Sequence, residues 1–229
     1  MTQKSFPKIK ILLPYLGFLT LFTFFYYLTR EVIKKETLFF DLQVNSWILG
    51  FRDNFLTKVM IFVSDFSLNV GFILVAFLVI YFVIKRHFRT AFNLSLSTIL
   101  ANIIFYALKN IVHRDRPELT FRLIQESNFS FPSGHATIAF TIYPILAILI
   151  LKTNLNKPLK YIFSTILVLF PFVVGFSRLY LGVHYITDVF AGMVLGLSIT
   201  AIFFFVEKES LKPQITNFCS QNHDGNNSL

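Results

Sequence analysis

Six apolar runs constrain this chain more than anything else in it: residues 9–28, 68–84, 91–108, 135–151, 161–176 and 185–206. A helix needs ~17–25 predominantly apolar residues to cross a bilayer, and each run is close to that length. The runs are continuous rather than alternating, which argues against a membrane barrel and for helices. With 55% hydrophobic residues and 30 Phe in 229, the chain has more apolar surface than a soluble core of this size could bury. The expected fold is all-α, an integral membrane bundle of six transmembrane helices spanning residues 1–206. A polar tail, 207–229, follows and is expected to be cytoplasmic and disordered.

The net charge of +9 could indicate nucleic acid, but Lys and Arg fall in short clusters between the apolar runs, where membrane topology puts them. A nucleic-acid partner is therefore excluded. One cysteine, Cys219, leaves no internal disulfide, and nothing around it has metal-binding spacing. The basic start (Lys4, Lys8, Lys10) resembles a signal peptide, yet Phe24 to Tyr27 occupy the place of a small-residue cleavage site, so the first run is read as an uncleaved span. Loops carrying Lys85, Arg86 and Arg89, then Lys152, Lys157 and Lys160, have almost no acids and are assigned to the cytoplasm. In the other loops acids nearly balance bases. Both termini are then cytoplasmic.

Between the first two runs, Phe40, Val44, Ile48, Phe51, Phe55 and Val59 recur at helical spacing, with Asp41, Asn45 and Arg52 off that stripe. One or two helices lying in the outer interface are expected, with Trp47 at the membrane boundary. They serve as a packing collar or as a ramp for lipid. Pro14, Pro144 and Pro171 fall inside spans, where kinks rather than breaks are expected. Gly192 and Gly196 form a small-xxx-small pair suited to close helix packing.

Charged groups at the mouth of an apolar segment cost free energy and so need a reason. Three polar clusters share the outer face under this topology. The first holds Lys109 and Arg116-Pro117, the second is Phe131-Pro-Ser133-Gly134-His135, and the third runs from Ser177-Arg178 through His184 to Asp188. Lys109, Arg116 and Arg178 supply three positive charges. The fourth helix would begin at Ser133, Gly134 and His135, aiming free backbone N–H groups and the positive end of its dipole at the same place. Such a set binds an oxyanion of high charge, and phosphate is the one expected. His184 and Asp188 are four residues apart, so the carboxylate can hold one ring nitrogen and leave the other as nucleophile. The arrangement suits two-step phosphoryl transfer: His184 attacks phosphorus, Asp188 steadies the imidazolium, and His135 protonates the leaving oxygen and later activates water. No metal or other cofactor is called for. Taken singly, each cluster has a plain structural reading, as snorkelling cations or a helix cap; together and on one face they favour the site. His113, Arg114, Arg122, Glu126 and Tyr180 could line the pocket without an assigned role.

These three clusters match the signature K-x6-RP, PSGH and SR-x5-H-x3-D without a departure, and on them the chain resembles the type 2 phosphatidic acid phosphatase superfamily. The six-span layout is similar to bacterial membrane members of the phosphatidylglycerophosphatase B type. The resemblance implies a nucleophile at His184 aided by Asp188, an acid at His135, and phosphate ligands at Lys109, Arg116, Ser133, Gly134 and Arg178. It implies a lipid phosphate as substrate, with phosphatidylglycerophosphate or phosphatidic acid favoured because Gly134 stands where dedicated undecaprenyl diphosphate phosphatases often carry Asp. An undecaprenyl diphosphate phosphatase, a phosphotransferase and a non-catalytic lipid-binding or lipid-moving protein are the alternatives. The expected location is the cell membrane, multi-pass, with the site on the extracytoplasmic face.

Overall fold

A computed structural model of the chain describes the backbone of residues 7–223 and the side chains of residues 19–207. Among the described residues the structure is all helical. Its elements are α1 (Pro7–Ile33), α2 (Leu38–Leu49), α3 (Asn54–Ile84), α4 (Phe88–Val112), a 3-10 turn (Leu119–Phe121), α5 (Gly134–Leu151), α6 (Lys157–Tyr180) and α7 (Ile186–His223). Five of these, α3 to α6 and the Ile186–Glu207 part of α7, are long and apolar enough to cross a membrane. The first expected span falls within α1, much of which lies outside the described side chains. The helix of the sixth span continues to His223; the tail expectation otherwise falls outside the described residues, as does the side chain of Cys219.

The bundle is built around α5, in which every residue from Ala136 to Ala147 is buried. Helices α3, α4, α6 and α7 surround it. Their outward faces carry Phe62, Ile73, Phe77, Ile103, Tyr161, Ile166 and Phe172, all exposed. Unlike a soluble bundle, the outer surface is apolar and suited to lipid, while the interior mixes large apolar residues such as Ile142 and Phe203 with small and polar ones such as Ala139, Thr137 and Thr141. Gly192 and Gly196 make the α5–α7 approach possible. A Cβ at Gly192 would sit 2.7 Å from the Ser133 carbonyl oxygen, and one at Gly196 would sit 2.6 Å from that of Thr137. Both α5 and α6 continue through their internal prolines, Pro144 and Pro171.

Two features of the 37–67 segment differ from expectation. Only α2 is a separate short helix; Phe55 and Val59 belong to α3, which begins at Asn54 rather than near residue 68. Asp53 starts α3 by accepting hydrogen bonds from the amides of Phe55 (2.8 Å) and Leu56 (3.0 Å). At 31 residues α3 is about 46 Å long, well over the ~30 Å hydrocarbon thickness, so its early turns rise beyond it. Ser64 and Ser67 interrupt the apolar run only because they face inward, where both are buried.

Above α3, the link between α6 and α7 is stapled to the loops. Arg52 donates to the Tyr180 carbonyl (2.7 and 2.9 Å) and to the Phe121 carbonyl (2.8 Å), while Leu123 N–H donates to Leu181 O at 2.9 Å. Gly182 sits in the middle with φ +72°; a Cβ there would lie 2.1 Å from the Phe121 carbonyl oxygen. No side chain fits, so glycine is required for both space and backbone sign.

Candidate active site

Four helix ends meet at one end of the bundle, and each brings part of the sequence signature. Lys109 comes from the last turn of α4, Gly134 and His135 from the first of α5, Arg178 from the last of α6, and Asp188 from the first of α7. Arg116 reaches in from the loop after α4. His184 lies two residues before α7 begins, so the helical i,i+4 geometry inferred from spacing is not how it meets Asp188. The contact forms all the same, with Nδ1 3.5 Å from Asp188 Oδ2.

His184 is 2% exposed. Arg116 Nη1 lies 3.2 Å from its Nε2; an arginine can only donate, so Nε2 is the acceptor nitrogen and Nδ1 the one bearing hydrogen. Burial first, then the charges of Arg116, Lys109 and Arg178, holds the imidazole well below its ordinary pKa. A neutral ring with its lone pair on Nε2 is the form a nucleophile needs, although here Arg116 occupies that lone pair.

Asp188 is fully buried and held on several sides. Its Oδ2 accepts from the Ser130 hydroxyl (2.5 Å) and the Tyr185 amide (2.9 Å), and its Oδ1 from Arg114 Nη1 (2.6 Å). The Ser130 hydroxyl also stands 3.4 Å from His184 Nδ1, wedged between ring and carboxylate. Sequence spacing did not single out Ser130, although it lies three residues before Ser133.

The cations are arranged for an anion, and a protein carboxylate already lies among them. Arg178, 1% exposed, donates Nη1 to Ser64 Oγ at 2.5 Å and Nη2 to Glu126 Oε1. Arg116 Nη2 reaches Glu126 Oε2 at 3.5 Å and donates Nε to the Asn128 carbonyl at 2.5 Å. Arg178 Nε is buried without a hydrogen-bond partner, an orphaned donor within the cluster. Lys109 Nζ donates to the Phe129 carbonyl at 2.5 Å and so ties the loop down. The Ser133 amide is spent on the Asp188 carbonyl (3.0 Å), and its hydroxyl caps α5 at Ala136 N. The amides of Gly134 and His135 remain as first-turn donors with no intrahelical acceptor. Gly134 is crowded by the Phe105 ring, 2.9 Å from where a Cβ would be.

Two cavities adjoin. One, of about 180 Å³, is lined by Lys109, Arg116, Glu126, Gly134, His135 and His184 on one side and by Leu68, Phe72, Phe105 and Ile138 on the other. The second, of about 270 Å³, is more polar and includes Arg114, Asp115, Arg122 and Ser127. Lys109, Arg116, Glu126 and Asn128 line both. Of the residues without an assigned role, Arg114, Arg122 and Glu126 prove to line a cavity. Tyr180 instead anchors α3, its hydroxyl accepting from the Asp53 amide at 2.9 Å, and the His113 ring packs edge-on against Phe129.

Four helix ends thus gather two histidines and several cations beside a cavity that is charged on one side and apolar on the other, in a bundle of membrane-spanning helices. Residues 90–211 match the PAP2 superfamily, and the chain belongs to it. Phosphatidylglycerophosphatase B of Bacillus subtilis is 40% identical over 104 residues, covering 44% of this chain and 48% of that protein. Dolichyldiphosphatase of Saccharomyces cerevisiae is 32% identical over 155 residues, covering 63% of each. The chain thus spans about half to two thirds of the length of these relatives. The crystal structure of a transmembrane PAP2-type phosphatidylglycerolphosphate phosphatase from Bacillus subtilis superposes with a TM-score of 0.74. It is 28% identical and covers 85% of this chain and 96% of that one.

Proposed function

We propose that the protein is a multi-pass membrane lipid phosphatase working through a phosphohistidine on His184. The observation that carries this is the 180 Å³ cavity, in which His135, His184, Lys109 and Arg116 face the apolar side chains of α3 and α4. Phosphate and acyl chain need those two linings in one space. The orphaned Nε of Arg178 supplies one more donor for a phosphoryl oxygen.

In the first step, His184 Nε2 forms a bond to phosphorus as the P–O bond to the lipid breaks, and His135 gives the departing oxygen a proton. Asp188 stabilises the positive charge that develops on the ring. The guanidinium of Arg116 moves from Nε2 to a phosphoryl oxygen, joining Lys109, Arg178 and the amides of Gly134 and His135 around the equatorial oxygens. Ser133 supports the set through the α5 cap and its link to Asp188. Water then attacks phosphorus, His135 takes its proton, and the P–N bond breaks to free inorganic phosphate.

Phosphatidylglycerophosphate or phosphatidic acid is the preferred substrate class, supported by the phosphatidylglycerophosphatase relatives and by Gly134. A polyprenyl diphosphate such as undecaprenyl diphosphate is the second reading, favoured by the dolichyldiphosphatase relative. The loop charge bias supports an extracytoplasmic site and cytoplasmic termini in a cell membrane. Residues 1–206 form the phosphatase domain in this reading. The test is release of phosphate from a panel of lipid monophosphates and diphosphates by detergent-purified protein in EDTA. Activity that is lost in His184→Ala supports the proposal; activity indifferent to that change sinks it.

A further inference from the structure

Asp41 sits on α2, whose other faces carry the exposed Phe39, Leu42 and Trp47, yet its own side chain is completely buried. A buried carboxylate is costly unless partners surround it, and this one accepts from three donors on two residues, the Thr187 hydroxyl being shared between its two oxygens. Its Oδ2 accepts from Arg114 Nη2 (2.5 Å) and the Thr187 hydroxyl (2.8 Å). Its Oδ1 accepts from the Thr187 amide (3.1 Å) and the same hydroxyl (2.9 Å). Arg114 turns its other terminal nitrogen, Nη1, to Asp188 Oδ1 (2.6 Å) and to Thr187 Oγ1 (2.7 Å), with its guanidinium 4.3 Å from the Tyr185 ring centre. One planar fork therefore ties Asp41 to Asp188, and the residue preceding Asp188 is gripped by Asp41 directly.

We infer that Asp41 is a positioning residue for the reaction: through Arg114 and Thr187 it orients the Asp188 carboxylate that serves His184. The inference rests on the reading of His184 and Asp188 proposed above. Asp41 and Thr187 line neither cavity, and both are buried with their side chains bonded to each other and to Arg114, which places them to act through the carboxylate and not on the substrate. Their effect passes through the carboxylate's orientation and charge. With Asp41 in place, the Arg114 charge is shared between two carboxylates, and Asp188 Oδ2 stays turned towards Ser130 and His184. Without that counter-charge, Arg114 draws on Asp188 alone and pulls it away from the ring. Helix α2 is thereby more than a packing collar.

The test is Asp41→Asn in the full-length, detergent-purified protein. Expected is a fall in kcat of about 10- to 100-fold, the scale of small misplacements in active sites, with KM and the vanadate inhibition constant within about twofold of wild type. In an Asp188→Asn background, Asp41→Asn should lower the residual kcat no further, because its route is gone. A kcat within twofold of wild type overturns the inference. So does an equal loss in the Asp188→Asn background, or a parallel loss of vanadate binding. If Asp41→Asn does not yield folded protein, Thr187→Val is judged by the same three criteria. His184→Ala is the control: turnover that survives it fails the phosphohistidine reading, whereas a dead His184→Ala beside an unimpaired Asp41→Asn fails this inference alone.

Discussion

Glu126 places its carboxylate against the buried guanidinium of Arg178 and, through its other oxygen, within 3.5 Å of Arg116. Two guanidiniums that would clamp a phosphoryl group are thus bridged by an acid from the loop between α4 and α5. The carboxylate is a quarter exposed and lines both cavities, so an arriving anion can reach and displace it.

Removing that competing charge should strengthen anion binding. Glu126→Gln is expected to lower the inhibition constants of vanadate and orthophosphate by about tenfold, which corresponds to ~1.4 kcal/mol. Inhibition titrations check this; weaker binding in the variant would mean that Glu126 organises the cations instead of competing for them.

The two histidines should separate by leaving group. His184→Ala removes the atom proposed to bond to phosphorus and should abolish turnover on every substrate. His135→Ala should slow the phosphorylation step about 10²- to 10⁴-fold on a lipid phosphate, the usual range for general acid catalysis, but far less on p-nitrophenyl phosphate, whose leaving group departs unprotonated; the later attack of water, which also uses His135, should slow equally on both, so the variant should release a burst of p-nitrophenol and no burst of lipid alcohol. Parallel assays on the two substrates decide it.

Burial and the surrounding cations push the His184 pKa down, so the ring stays neutral to low pH in the unliganded protein. The acid limb of kcat/KM that reports this residue should therefore lie well below the ordinary imidazole value of about 6.5. The same shift has a stability consequence: the unfolded chain takes up the proton that the folded site refuses, so stability falls as pH drops through that value. A kcat/KM profile and a melting series across pH 4–8 test both.

Gly182→Ala should cost at least ~1–3 kcal/mol from the backbone alone, since φ +72° suits only glycine there. The collision with the Phe121 carbonyl adds to this and would dislodge the link that carries His184. Thermal unfolding in detergent, with turnover per folded molecule, measures the two losses separately.

How much of this was legible in sequence differs between elements. The membrane bundle was, because a bilayer imposes a length on every spanning helix and the apolar runs display it. Span ends fitted for α4 to α7, where polar residues lie at the helix boundaries. The start failed for α3, where Ser64 and Ser67 look like a boundary but face the interior, while its end at Ile84 is where the apolar run ends. Asp41 was visible only as a charge off an apolar stripe, and Ser130 and Glu126 had no distinguishing spacing at all.

The sequence by itself determined that this is a helical membrane protein, and that two histidines and a set of cations stand at the ends of its spans. Those are local facts: hydrophobic length and residue type do not depend on distant parts of the chain. Only the tertiary structure decided which charge meets which. Arg178 pairs with Glu126 rather than Asp188, and Arg114, outside the signature, takes Asp188 and binds it to Asp41 on a helix more than seventy residues earlier. A buried charge takes whichever partner the packing brings within hydrogen-bond reach, and helix packing, not position along the chain, sets that distance.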